Sequence, residues 1–249
     1  MRSPGVVPTP RLPRRPVPHP SIPVPTSSPV LLFDIDGTLL QSHGVGRRSV
    51  NAALTDLAGE TFDFSDISFS GKTDPQIFGE ILDAAAERGL PVDRSHTDAF
   101  LSLYADRMHA NLPEATVEDL PGAVSLVRRL AAEGAEMGML TGNLEPLAYR
   151  KIERIDLSAT ELPFGAFGSD HADRNTLPVI AAQRASERFG REVAHEELVI
   201  IGDTPRDIAC ARAVGAVAVA VATGYYSADD LREADLVLDT LEGFSLDRL

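Results

Sequence analysis

Val30-Leu31-Leu32-Phe33-Asp34-Ile35-Asp36-Gly37-Thr38 is the stretch that decides the fold of this chain. Four consecutive apolar residues closed by turn chemistry read as a strand buried on both faces of a parallel sheet. Asp34 and Asp36 stand two positions apart where that strand ends, so extended backbone points both to one side. The C-terminal edge of such a sheet is where α/β folds keep their ligands. Two like charges this close are costly unless a cation lies between them or one keeps its proton. The pattern points to a divalent-metal site with one carboxylate left free to react.

Outward from this strand, strands and helices alternate. Strands are expected at 30–33, 136–140, 164–167, 198–201, 217–221 and 236–238, with helices at 145–154, 177–189 and 205–214. Such alternation predicts an α/β fold, a Rossmann-like parallel sheet with helices on both faces. The stretch 42–119 is different. It shows no convincing strand and three apolar stripes at helical spacing: Val50, Ala53, Leu54 and Leu57; Ile77, Phe78, Ile81 and Leu82; Phe100, Leu101, Tyr104 and Met108. Asp74-Pro75 reads as an N-cap followed by proline at the first helical position, and Gly89 as the C-terminal stop. The expected organisation is an α/β core from 30–41 and 120–249, with an inserted all-helical cap domain at 42–119.

Residues 1–29 hold ten of the eighteen prolines, four arginines and no acid. Proline at that density disfavours helix and sheet, so a disordered extension is expected there. Over 249 residues the formal charge is −14, which excludes a nucleic-acid backbone as partner. No run reaches the ~18 apolar residues of a membrane span. The single cysteine, Cys210, rules out an internal disulfide and suits a reducing, cytoplasmic compartment, with the thiol in the core. Lys72 and Lys151 are the only lysines among 23 basic residues, so chemistry needing an ammonium has two candidates.

Two further clusters follow strands. Thr141-Gly142-Asn143 offers a hydroxyl, a glycine whose N–H can approach an oxyanion, and an amide. Gly202-Asp203-Thr204-Pro205-Arg206-Asp207 closes a strand with one carboxylate, opens a helix, and places a second acid a turn later. Asp203 is either the cap of that helix or a metal ligand, and its place after another buried strand favours the ligand role.

Asp-x-Asp-Gly-Thr at 34–38, Thr141 and Gly-Asp-x-x-x-Asp at 202–207 together resemble the haloacid dehalogenase superfamily, in particular its phosphatases with a helical cap. The resemblance covers about 30–238 and is nearest in pattern to phosphoglycolate phosphatases. It implies Asp34 as the nucleophile that takes a phosphoryl group, and Asp36 as general acid and then base. It also implies Mg²⁺ held by Asp34, the backbone carbonyl of Asp36, Asp203 and Asp207, with Thr141, Gly142 and Asn143 holding phosphoryl oxygens. The family's third motif usually supplies a lysine. Here 168–175 has none, so Arg174 is expected to clamp Asp34 and the phosphoryl group, with Lys151 as the alternative. Lys72, in the cap loop Ser70-Gly71-Lys72-Thr73, is a substrate-binding candidate, and Arg47 and Arg48 open the first cap helix. The implied activity is a Mg²⁺-dependent phosphatase acting on a small phosphorylated metabolite. A phosphomutase would share every core residue; a 2-haloacid dehalogenase would need neither Asp36 nor Asp203; a non-catalytic binding module would have no use for Asp34, Asp36, Thr141 and Asp203 together.

Overall fold

In the computed structural model, residues 28–249 are described, so the expected Pro/Arg-rich extension falls almost wholly outside the described residues. In chain order the elements are β1 (Val30–Phe33), β2 (Leu40–Gln41), α1 (Val45–Ala58), α2 (Asp74–Glu87), α3 (Thr97–Asn111), β3 (Glu118–Asp119) and α4 (Ala123–Ala132). They continue with β4 (Glu136–Leu140), α5 (Glu145–Glu153), β5 (Gly165–Ala166), α6 (Leu177–Phe189), β6 (Leu198–Gly202), α7 (Pro205–Val214), β7 (Val217–Val221) and β8 (Leu236–Leu238). Six strands form one parallel sheet in the order β5-β4-β1-β6-β7-β8.

Alternation along β1 builds the layers. Leu31 and Phe33 join the apolar cluster with residues of α4 and α5, while Val30 and Leu32 join the opposite cluster with α6 and α7. All four side chains are fully buried, each worth about 1.5–3 kcal/mol of transfer free energy for residues of this size. From β1 the chain builds outward to β4 and β5, then crosses to β6 and continues to β7 and β8 on the other side. The turns after β1 and β6 therefore diverge, leaving a crevice at the C-terminal ends of adjacent strands. The backbone N–H of Asp34 donates to the Ile201 carbonyl at 2.9 Å, carrying the β1–β6 ladder up to the crevice floor.

Helices α1–α3 gather an apolar cluster of their own, centred on Phe78, Phe100 and Tyr104. The Phe78 ring lies 4.7 Å from that of Phe100 and edge-on to Tyr104 at 4.9 Å. Against expectation, the stretch 42–119 contains one short strand: β3 pairs antiparallel with β2, Leu40 facing Asp119 and Gln41 facing Glu118. Two exposed acids carry no hydrophobic alternation, so nothing in the sequence marks them as a strand. This two-residue ribbon sits where the chain leaves the sheet and returns to it.

Other corrections are local. The strand expected at 164–167 narrows to Gly165–Ala166, that at 198–201 gains Gly202, and the helix at 145–154 ends at Glu153. Thr73, not Asp74, caps α2, its hydroxyl accepting from the Gln76 N–H; this leaves the Asp74 carboxylate for another task. Likewise Thr204 caps α7, accepting from the N–H groups of Arg206 and Asp207, which frees Asp203 from that role.

Candidate active site

Asp34 follows β1, and Asp203 and Asp207 flank the turn from β6 into α7. One carboxylate oxygen from each lies within 4.8 Å of the other two, and all three residues are buried. Close backbone approach makes this possible. Gly37 has φ +84°, and a Cβ there would sit 2.3 Å from Asp203 Oδ2; one on Gly224 would sit 1.8 Å from the same oxygen. The Thr38 hydroxyl donates to Asp203 Oδ1 at 3.4 Å. Asp207 is the most committed of the three: Oδ2 accepts from the N–H and hydroxyl of Thr204, and Oδ1 from Arg174 at 2.5 Å.

Arg174 is the cation that faces this cluster. It is 5% exposed, and its Nη2 lies 3.3 Å from Asp34 Oδ2 and also donates to the Leu140 carbonyl at 3.4 Å. Its buried Nε has no hydrogen-bond partner among the described residues. One guanidinium does not neutralise three acids. Burial, with Asp207 and Asp34 as neighbours, pushes the Asp203 carboxyl up to about 8. Burial likewise raises Asp34 to about 6, against the pull of Arg174. The donors are hard carboxylate oxygens short of positive charge, which fits a divalent cation.

Asp36 belongs to a second network. Its carboxylate turns away from the cluster toward Lys151, whose Nζ donates to Oδ2 at 2.6 Å. Asn143 Nδ2 donates to the same oxygen at 2.9 Å, and the Ser42 hydroxyl to Oδ1 at 3.2 Å. Burial opposes ionisation, but the Lys151 charge and these donors outweigh it and hold the carboxyl below its usual range. Asn143 also donates to Thr141 Oγ at 2.8 Å and accepts from Lys151 at 2.6 Å. Thr141 Oγ thus receives protons from Asn143, and its own O–H has no acceptor among the described residues, so it remains to be donated.

Several sequence expectations change character here. Lys151, which could have lain on a solvated helix face, is 4% exposed and pairs with Asp36. The side-chain amide of Asn143, expected among phosphoryl-holding groups, donates to Asp36 and Thr141. Gly142 also meets a packing demand: a Cβ there would sit 2.0 Å from the Lys72 carbonyl, so glycine lets the loop before α2 rest on the sheet edge. Lys72 lines the cleft but pairs with Glu80 at 2.5 Å. Arg47 also lines the cleft, while Arg48 is exposed and donates to the His43 carbonyl at 2.8 Å. Cys210 is buried, its thiol pushed up to about 12 by desolvation.

The structure adds residues that the motifs did not mark. Asp74 is buried, accepts from the Leu144 N–H at 3.0 Å, and donates its own N–H to the Gly142 carbonyl at 2.8 Å. Burial raises its carboxyl to about 6. Together with Thr73 Oγ, which donates to the Ala172 carbonyl at 2.5 Å, it ties the start of α2 to the sheet edge. Tyr104, read only as helix core, also lines the cleft, as do Ser42 and the exposed Tyr225. The Asp-Pro pair at 74–75 was the available signal for the first; nothing in the sequence marks the others.

The model of one family, described as haloacid dehalogenase-like hydrolase, matches residues 31–212, which spans every one of these groups except Gly224 and Tyr225. The chain belongs to the haloacid dehalogenase-like hydrolases. Among its relatives, a phosphoglycolate phosphatase of Cereibacter sphaeroides is 30% identical over 189 residues, covering 75% of this chain and 82% of the relative. A phosphoglycolate phosphatase of Xanthomonas campestris is 30% identical over 207 residues, covering 80% and 86%. The fold is shared with CbbY from Rhodobacter sphaeroides, solved in complex with phosphate, at a TM-score of 0.69 and 18% identity, over 87% of this chain and 96% of that one. A hydrolase from Pseudomonas syringae superposes at 0.65 with 20% identity. In this haloacid dehalogenase-like hydrolase the two networks open into one cleft of about 650 Å³, roofed by α1–α3, of a size suited to a small ligand. No helix among the described residues is long and apolar enough to cross a membrane.

Proposed function

We propose that the protein is a Mg²⁺-dependent phosphomonoesterase acting on a small phosphorylated metabolite, with a phosphoglycolate-like ester as the leading substrate. One observation carries this reading: three buried carboxylates share a 4.8 Å site against a single guanidinium, while a fourth, Asp36, is held apart by Lys151. Phosphoryl transfer needs spread negative charge neutralised and reactants positioned, and this division of labour provides both.

Asp34 is the nucleophile. Its pKa of about 6 leaves it ionised at neutral pH, and Arg174 steadies the charge. The carboxylate attacks phosphorus, the ester P–O bond breaks, and an aspartyl-phosphate forms on Asp34. Asp36, ionised in the free protein beside Lys151, takes a proton from the entering substrate monoanion, delivers it to the departing oxygen, and then accepts one from the water that hydrolyses the intermediate. Lys151 and Asn143 fix the orientation of Asp36 through both steps. The Thr141 hydroxyl is a donor available to phosphoryl oxygens. Asp34, the backbone carbonyl of Asp36 and Asp203 would hold the ion, with Asp207 as a further support locked in place by Thr204 and Arg174. When bound, Mg²⁺ supplies the charge that screens Asp34 from the phosphoryl oxygens. The helices of 42–119 serve as the cap that closes the cleft and selects the substrate.

The test is inorganic phosphate release from a panel of phosphorylated metabolites with Mg²⁺ or with EDTA. Metal-dependent release with wild-type protein, lost in Asp34→Asn, is the expected result. Turnover that ignores EDTA, or Asp34→Asn at near wild-type rate, overturns the reading.

A further inference from the structure

The N-terminus of α1 opens on the cleft in an unusual chemical state. Its N-cap, Gly44, has φ +77° and supplies no side-chain acceptor, and no acid lies in the first turn. Val45 donates to the Ser42 carbonyl at 3.1 Å, but the N–H groups of Gly46 and Arg47 have no acceptor among the described residues. Instead of the acid that the helix dipole favours there, the turn carries Arg47 and Arg48. Gly44, Gly46 and Arg47 all line the cleft that holds Asp34 and Asp36.

A second, independent group faces the same spot. Tyr104 is 3% exposed, and its hydroxyl makes no hydrogen bond among the described residues. That hydroxyl lies 3.7 Å from where a Cβ on Gly46 would stand, so it meets the open end of α1. The ring is buried while the hydroxyl reaches the cleft without a protein acceptor, so its proton is open to a ligand. Burial holds the phenol neutral, with Asp74 and Asp36 adding to the effect, so it keeps its proton to donate. Arg47 completes the set. Its guanidinium lies 4.1 Å from the centre of the Phe69 ring and donates to the Phe64 and Ile67 carbonyls at 3.3 and 3.0 Å. No carboxylate comes within salt-bridge range of it, whereas the other cleft cations, Lys72, Lys151 and Arg174, are each paired with an acid.

The geometry points to a carboxylate subsite for the far end of the substrate, formed by the α1 N-terminus, the Tyr104 hydroxyl and the Arg47 guanidinium. Resting on the phosphatase reading, it assigns to these three groups the selection of esters that carry a carboxylate at the far end over those that do not. A carboxylate has four acceptor positions for the two free N–H groups, the phenol and the guanidinium, and its charge suits both the helix end and Arg47. The charges of Asp36 and Asp74 are felt at Tyr104, and Lys151 offsets the first; they disfavour a second phosphate dianion more than a monoanion. Gly46 keeps the entrance open, since any side chain there would stand between Tyr104 and the ligand.

Two esters of equal length separate this proposal from the parent reading: phosphoglycolate and 2-hydroxyethyl phosphate, which differ in carboxylate against hydroxyl. Wild-type kcat/KM is expected to favour phosphoglycolate by tenfold or more. Tyr104→Phe keeps the ring packing on Phe78 and is expected to erase most of that ratio through KM, and Arg47→Gln to do the same. Calorimetric binding of the two esters to Asp34→Asn protein, with Mg²⁺, reads the subsite without turnover and is expected to show the same preference. Hydrolysis of both esters with equal efficiency, or a ratio untouched by Tyr104→Phe, overturns the subsite while leaving the phosphatase standing. Failure to release phosphate from these esters and from every other member of the metabolite panel overturns the phosphatase reading, and the binding ratio still decides the subsite.

Discussion

Asp203→Asn should make the metal-free protein more stable while destroying its response to metal. Asp203 is 2% exposed and carries a carboxyl raised from 3.8 to about 8, chiefly by burial and then by Asp207 and Asp34. An acid whose folded pKa is raised binds a proton more tightly in the folded state, so its stabilising effect is full below pH 3.8. It is lost as pH climbs to about 8. Between 3.8 and neutral pH the loss corresponds to about 4 kcal/mol at ~1.4 per pH unit, and local relaxation and water entry reduce it to about 2 kcal/mol. Asn removes the charge and keeps an acceptor for the Thr38 hydroxyl, so it recovers this amount. Urea unfolding in EDTA across pH 5–8.5 is the assay. Wild type should lose stability steadily with rising pH, and Asp203→Asn should lie above it by about 2 kcal/mol near pH 8 with a flatter slope. At Mg²⁺ one hundred times its dissociation constant, wild type should regain about 2.7 kcal/mol and the variant close to nothing. A variant less stable than wild type in EDTA at pH 8, or equal Mg²⁺ stabilisation of both, would refute the assignment of Asp203 as an unneutralised acid awaiting a cation.

Other substitutions probe the remaining contacts. Gly224→Ala puts a Cβ 1.8 Å from Asp203 Oδ2, and the Mg²⁺ concentration for half-maximal activity should rise tenfold or more with little change in melting temperature. Arg174→Met leaves Asp34 and Asp207 buried without their counter-charge; denaturation should show a loss of about 3–5 kcal/mol, and phosphate release should fall sharply. Lys151→Met removes the group that depresses Asp36, whose side chain is 40% exposed to the cleft, so stability should fall by only about 1 kcal/mol. Its larger effect should be on kcat, down tenfold or more, with the pH profile of the Asp36 group displaced upward.

The α/β architecture was written in the apolar runs at 30–33, 136–140, 198–201 and 217–221, because strands buried on both faces need no partner to be recognised. The motifs that end those strands likewise announced Asp34, Asp36, Thr141 and Asp203, since an acid following a buried run has few structural excuses. The ribbon of β2 and β3 was invisible because two exposed residues pair through backbone alone. The caps shifted by one residue, to Thr73 and Thr204, because Ser, Thr and Asp compete for that role and only neighbouring contacts decide among them.

From sequence alone came the acids that line the cleft and the side of the sheet on which they stand. Only the folded chain could decide how they are divided. Arg174 reaches the Asp34 cluster from the turn before α6, and Lys151 reaches Asp36 from α5, so each cation's partner depends on which helix packs on which face of the sheet. The same holds for Tyr104, a helix-core residue by its spacing, whose hydroxyl meets the open end of α1 because the cap helices fold over the cleft. Periodicity is a local property of the chain, and the partner of a buried charge or donor is not.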